Sequence, residues 1–414
     1  MAGGLQGEPR PVNDDVAGTA DPSGEETVDN AVADLAVGDV VSTSEIFAAT
    51  ATASAESARG LRRFALRHPR VSVWIILTLI LGLWGTWAGP GWNPQPMQSL
   101  IVPERADTAI TTQWDTPALG TYDVSMEVSE VTLRDGTVIP ATIRRPIGFD
   151  GLAPGVLFIH GTGTDSHTNF EREAAALSSA GIVTIVPDKR TTDYTTTHRD
   201  YPALADDYED VYEDLLKLPG VNPRQSGIYA VSEGCFIAPI IAARNNHVGF
   251  VALISAPVLP IREQGAMAAD TYLRNLGAPE RFIGVIPRLV GQDFGADTFK
   301  YIDFDVSKYQ RQMDMPVFML YGTGDMSMPT IQGPVILRDD LSKNGNHDLT
   351  VRYYKDADHG LKVDGVLMRA AMQDTSDWIN GLPHTAGASP RIAGDQPTQT
   401  YQAGTVARPH WFAS

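Results

Sequence analysis

The sequence predicts an α/β fold: a mostly parallel central sheet flanked by helices, with a helical cap insert, preceded by one transmembrane helix. Three observations predict it. From about residue 121, short apolar runs alternate with segments of helical period, the pattern of strands joined by helical crossovers. Residues 258–314 are far more than one such crossover needs. Finally, the 19 residues "VSVWIILTLILGLWGTWAG", 71–89, carry no charge.

Taken in order, residues 1–60 hold eleven acidic side chains against Arg10 and Arg59, about half of the net charge of −18. They are rich in Ala, Gly, Thr and Ser and read as a disordered acidic tail. The run 71–89 would be about 28 Å long as a helix, close to the hydrocarbon thickness of a bilayer. Arg59, Arg62, Arg63, Arg67 and Arg70 precede it, and no Lys or Arg follows until Arg105. This asymmetry places the tail in the cytoplasm and the rest outside, on an uncleaved signal anchor in the cell membrane. A cleaved signal peptide would start nearer the N-terminus. Residues 90–120 read as a linker.

"YDVSMEVSEVTLRDGTVIPATIRRPIG" alternates about Asp135-Gly136 and reads as a β-hairpin. "GVLFIHG" is a buried strand, "NFEREAAALSSAG" a helix closed by Gly181, and "IVTIVPD" the next strand. "YEDVYEDLLKLPG" is helical, "SGIYAVS" a strand, "CFIAPIIAARN" a helix and "GFVALISAP" a strand. After the insert come "MPVFMLYG" (strand), "PVILRDDLSKNG" (helix), "LTVRYYKDADHG" (strand and turn) and "VLMRAAMQDTSDWING" (helix). This core occupies 121–385, and 386–414 reads as a disordered tail.

Chemistry in such sheets gathers at the carboxyl ends of the strands. Those positions hold His160-Gly161-Thr162-Gly163, then Ser232, Asp325 and His359. A serine hydroxyl needs a base to take its proton, an imidazole supplies one, and a carboxylate orients the imidazole. Asp356 and Asp358 are too near His359 in sequence to orient it from a neighbouring strand.

Here the chain resembles the α/β-hydrolase fold, over about 125–383, in "HGTG", "VPDKR", "VSEGC", "YGTGD" and "DADHG". Around "APVLPIREQ" it is similar to serine hydrolases of the dienelactone-hydrolase-like and acyl-aminopeptidase-like set. The resemblance implies a Ser232–His359–Asp325 triad with Thr162 and Glu233 backbone N–H groups as the oxyanion hole. The usual elbow is Gly-x-Ser-x-Gly, and here Ala230 replaces the first glycine. Cys235, the single cysteine, reads as a packing residue. Lys189-Arg190 read as structural cations tied to nearby acids, and "HGTGTDSH" lacks metal-site spacing.

The insert lies over Ser232 by its place in the fold and reads as a cap, with Ile283, Val285, Ile286, Leu289 and Val290 as candidate acyl-pocket residues. The expected activity is ester hydrolysis on an acyl or acetyl group of an envelope lipid or glycolipid, with no cofactor and no metal. Acyl transfer on the same lipids and peptidase activity are the enzymatic alternatives, and a binding protein on the same fold is the non-catalytic one. The acidic balance argues against a nucleic-acid partner. Oligomeric state carries no sequence signal.

Overall fold

The computed structural model describes residues 68–88, 95–96, 110, 112, 115–195, 197–279, 283, 301–384, 388–397 and 401–402. The expected tail at 1–60 and pocket candidates Val285, Ile286, Leu289 and Val290 lie outside the described residues. In chain order the elements are α1 (Pro69–Ala88), β1 (Gln95–Pro96), β2 (Val124–Thr132), β3 (Val138–Pro146), β4 (Ala153–Ile159), α2 (Glu171–Ser179), β5 (Val183–Pro187), α3 (Tyr201–Lys217) and β6 (Val221–Val231). Then follow α4 (Gly234–Arg244), β7 (Val251–Ile254), α5 (Ile261–Asn275), α6 (Ser307–Gln310), β8 (Val317–Gly322), α7 (Gln332–Ser342), β9 (Leu349–Tyr354), β10 (Lys362–Val363), β11 (Val366–Leu367), α8 (Arg369–Asn380), β12 (Arg391–Gly394) and β13 (Tyr401–Gln402).

Nine strands form one sheet in the order β12-β9-β8-β7-β6-β4-β5-β3-β2. Only β2 and β3 run antiparallel to their neighbours, and the other ladders are parallel. This is the α/β-hydrolase architecture. The hairpin forms as its sequence dictates: Asp135 accepts the Thr137 N–H at 2.9 Å, and Gly136 supplies the positive φ of the turn. The side chains of β4 alternate between two cores. Leu157 and Ile159 belong to the core shared with α3, α4 and α7, whereas Val156 and Phe158 belong to the core shared with α2 and α8. Burial on both faces explains why this strand reads as an unbroken apolar run.

Three boundaries differ from the sequence reading. Helix α3 begins at Tyr201, not near Tyr208, because Asp200 caps it by accepting the Ala203 N–H at 3.0 Å and Pro202 fits the first turn. The tail expected to be disordered over 386–414 contains β12, which pairs with β9. Four residues carry no periodicity of their own; the order comes from the free edge of β9. A Cβ at Gly394 would stand 2.6 Å from the Tyr353 carbonyl, so the pairing needs that glycine. The end of the expected linker packs on α8, with Leu119 and Ile110 donating to Gln373 and Asp374.

Helix α1 is 20 residues long, with side chains described through Ile80, and Val71, Val73, Trp74, Ile76, Leu79 and Ile80 are exposed. The expected transmembrane helix is not found: among the described residues, no helix is long and apolar enough to cross a membrane.

Candidate active site

Strand β6 delivers Ser232 to the carboxyl edge of the sheet, and α4 starts two residues later. The turn is sharp enough to force Ser232 to φ +53°. A non-glycine residue held there costs roughly 1–3 kcal/mol and persists only where its surroundings fix it. Here the Ser232 N–H is held by the Ile254 carbonyl at the end of β7, at 2.9 Å. A Cβ at Gly234 would lie 2.8 Å from the Ile159 carbonyl oxygen and 2.9 Å from that of His160. The second elbow glycine is therefore required. Ala230, by contrast, sits in the ladder between Ile159 and Leu253 with its methyl fully buried, so the first elbow glycine is dispensable. Cys235 donates to the Ala230 carbonyl, and burial pushes its thiol well above the ordinary range, as suits a packing residue.

Asp325 and His359 are brought into direct contact, Oδ2 to Nδ1 at 2.9 Å. Asp325 follows β8 and is fully buried; His359 follows β9. Burial pushes the Asp325 carboxyl upward, but His359 and Ser327 outweigh it and hold the pKa below its ordinary value. Ser327 donates to Asp325 Oδ1 from both its hydroxyl (2.8 Å) and its backbone (3.0 Å). Asp358 caps its own turn by accepting from Gly360 and Lys362, so it does not orient the imidazole.

The glycines of "YGTGD" let the two loops meet. A Cβ at Gly322 would lie 2.1 Å from the Ala357 carbonyl, and Gly324 donates to that same carbonyl at 2.9 Å. The two halves of the site share an anchor at the end of β7. Ile254 holds the Ser232 backbone, and the adjacent Ser255 hydroxyl holds the His359 carbonyl at 2.7 Å.

Thr162 and Glu233, the expected oxyanion donors, border one cavity with Ser232. The loop after β4 presses on the elbow: a Cβ at Gly161 would be 3.1 Å from that of Ser232. Beside both residues lies a buried charge cluster; the tie of Lys189 to an acid was expected, but Glu233 and Arg199 as its members were not. Glu233 accepts from Lys189 (2.9 Å), Arg199 (2.7 Å), Tyr194 (2.6 Å) and Tyr201 (3.2 Å). Lys189 also donates to the Gly161 carbonyl at 3.2 Å, and Arg199 to the Thr162 hydroxyl at 3.3 Å. The cluster thus ties the loop after β4 to the elbow. Burial opposes the Glu233 charge, but Lys189 and Arg199 prevail and lower its pKa to about 2. Arg190 pairs outward with Asp135 and Asp207, as a structural cation would. The available signal for the cluster was position: Lys189 follows a strand, and Glu233 follows Ser232.

The histidines of "HGTGTDSH" each serve the scaffold. His160 Nε2 donates to the Pro187 carbonyl at 2.7 Å, and His167 shares a hydrogen bond with Thr142. Burial lowers the His160 pKa to about 4. From the insert, α5 places Gln264, Gly265 and Ala268 on the cavity beside Ser232, while Ile283 is buried.

No protein-family model matches this chain, and no curated protein matches it. Solved structures do. One is a dienelactone hydrolase from Anabaena variabilis, at 18% identity and TM-score 0.42, covering 62% of this chain and 97% of that one. A second is an esterase from the fungus Rhizomucor miehei, at 18% identity and TM-score 0.45, covering 63% and 83%. A third is dipeptidyl peptidase 4 from Porphyromonas gingivalis, at 16% identity and TM-score 0.46, covering 63% of this chain and 35% of that one. Likeness at this level leaves the chemistry to this chain's own residues.

Proposed function

We propose that the chain is a serine ester hydrolase in which Ser232 is the nucleophile, His359 the general base and Asp325 its orienting carboxylate. The observation that carries this reading is the Asp325–His359 contact, anchored with the strained Ser232 at the same end of β7. With Nδ1 committed to Asp325, the imidazole offers Nε2 to the reaction. His359 takes the Ser232 proton as Oγ attacks the ester carbonyl. The Thr162 and Glu233 backbone N–H groups receive the oxyanion. His359 then protonates the departing alcohol, an acyl-Ser232 forms, and water activated by the same imidazole releases the acid.

The proposed substrate is an acyl or acetyl ester of an envelope lipid or glycolipid, met on the outer side of a membrane to which the chain is tethered by the segment 71–89. Support for the tether is the uncharged run, the arginines before it and the exposed apolar side chains of α1. Full-length protein in mild detergent should hydrolyse short p-nitrophenyl esters in preference to amino-acid anilides. Preference for the anilides moves the assignment to a peptidase. A reporter fused after residue 385 should read as extracytoplasmic, and a cytoplasmic signal overturns the tether. The lipid profile of a deletion strain identifies the acylated species that accumulates.

A further inference from the structure

The cavity bordered by Ser232 has a volume of about 20 Å³. That is room for about one water-sized group. Arg199 and Gln264, each only 5% exposed, both line it. Each carries a buried atom without a hydrogen-bond partner among the described residues: Nε of Arg199 and Oε1 of Gln264. Their chemistry is opposite and fixed. The Arg199 Nε–H can only donate. Gln264 Nε2 donates to the Ser327 carbonyl at 2.7 Å, and a carbonyl only accepts. The amide orientation is therefore settled, and Oε1 is an acceptor awaiting a donor.

A group that satisfies both must accept one hydrogen bond and donate another. A carboxylate would accept from Arg199 but set its charge against Gln264 Oε1. An ammonium would do the reverse, against a guanidinium. A methyl group would leave both atoms unmet. A hydroxyl does what is required, whether a substrate supplies it or a water does. We propose that this cavity is a hydroxyl-recognition subsite, and that the preferred ester carries a hydroxyl on a carbon next to the scissile group. This rests on the ester-hydrolase reading above and deepens it. The hydroxyl could belong to the acyl side, as in a hydroxyacyl ester, or to the alcohol side, as in a partly acylated polyol or sugar.

Two isosteric pairs separate these sources, using the full chain in mild detergent and acid release in a pH-stat. Ethyl 2-hydroxyacetate against ethyl propionate tests the acyl side; 2-hydroxyethyl acetate against propyl acetate tests the alcohol side. The hydroxylated member of one pair should have at least about tenfold higher kcat/KM, since the analogue leaves buried polar atoms unpaired. In Gln264→Met that ratio should fall toward one. Equal rates within both pairs, with Ser232 still labelled by a fluorophosphonate, overturn the subsite and leave the hydrolase reading standing. A ratio that survives in Gln264→Met also overturns it. No turnover of any ester, together with no labelling, removes the hydrolase reading itself and the subsite with it.

Discussion

Glu233 is the member of the buried cluster whose loss should be felt most, because its carboxylate faces both Lys189 and Arg199. In the folded chain its pKa falls from an ordinary 4.5 to about 2. A difference of that size corresponds to roughly 3 kcal/mol of stability at neutral pH. Glu233→Gln keeps the shape but leaves two buried cations without their counter-charge. Removing one partner of a buried pair typically costs about 3–5 kcal/mol. Burial already pulls the Lys189 pKa down against the pull of Glu233, so the lysine can shed its proton in the variant. The loss should therefore sit near the lower end, about 3 kcal/mol.

The pH dependence follows from the sign. A carboxylate with a depressed folded pKa contributes fully above its unfolded value and loses that contribution as pH falls toward the folded one. Wild type should thus lose about 2 kcal/mol of this contribution between pH 7 and pH 3, and the variant none of it. Urea unfolding of the full chain in mild detergent, followed by far-ultraviolet circular dichroism, measures both. The gap between wild type and variant should be about 3 kcal/mol at pH 7 and should narrow by up to about 2 kcal/mol at pH 3, less what the variant loses as Lys189 regains its proton. A gap under about 1 kcal/mol at pH 7, or one that does not narrow on acidification, would show that the Glu233 charge does not stabilise the fold in this way.

Other outcomes follow from the same geometry. Ser327→Ala removes a charge-assisted hydrogen bond to Asp325, so kcat/KM on a short ester should drop roughly 10- to 100-fold with the fold intact. Asp325→Asn should lower kcat about 10⁴-fold by favouring the wrong imidazole tautomer. Gly322→Ala would drive a Cβ into the Ala357 carbonyl, so thermal unfolding should show a loss of about 2 kcal/mol or more, with activity falling as the His359 loop moves. Between pH 6.5 and 4, His160 takes up a proton in the unfolded chain but not in the folded one, so stability drains away across that window. His160→Gln, which does not titrate, should show a shallower loss there in urea unfolding.

Much of the fold was legible because the signals are local. The apolar runs of β4, β5, β7 and β8 are buried on both faces, and burial writes itself directly into composition. Ser232, Asp325 and His359 stood out because each follows such a run. What escaped depends on contacts distant in sequence. Strand β12 exists through β9, some forty residues earlier. The Glu233 cluster gathers Lys189 and Arg199 from the segment between β5 and α3, and a carboxylate after a serine gives no hint that both will turn inward. Ser327 was the nearer miss: an Asp followed two residues later by a serine is an Asx-turn pattern, and the backbone bond between them is present.

Everything proposed for this chain depends on Ser232 being a nucleophile activated by His359. Fluorophosphonate labelling of the full chain, with the adduct located by peptide mass spectrometry, tests it most directly. One adduct is expected, on Ser232, absent in Ser232→Ala and formed at least about 10³-fold more slowly in His359→Ala. An adduct that persists in Ser232→Ala, or an unchanged labelling rate in His359→Ala, would contradict it.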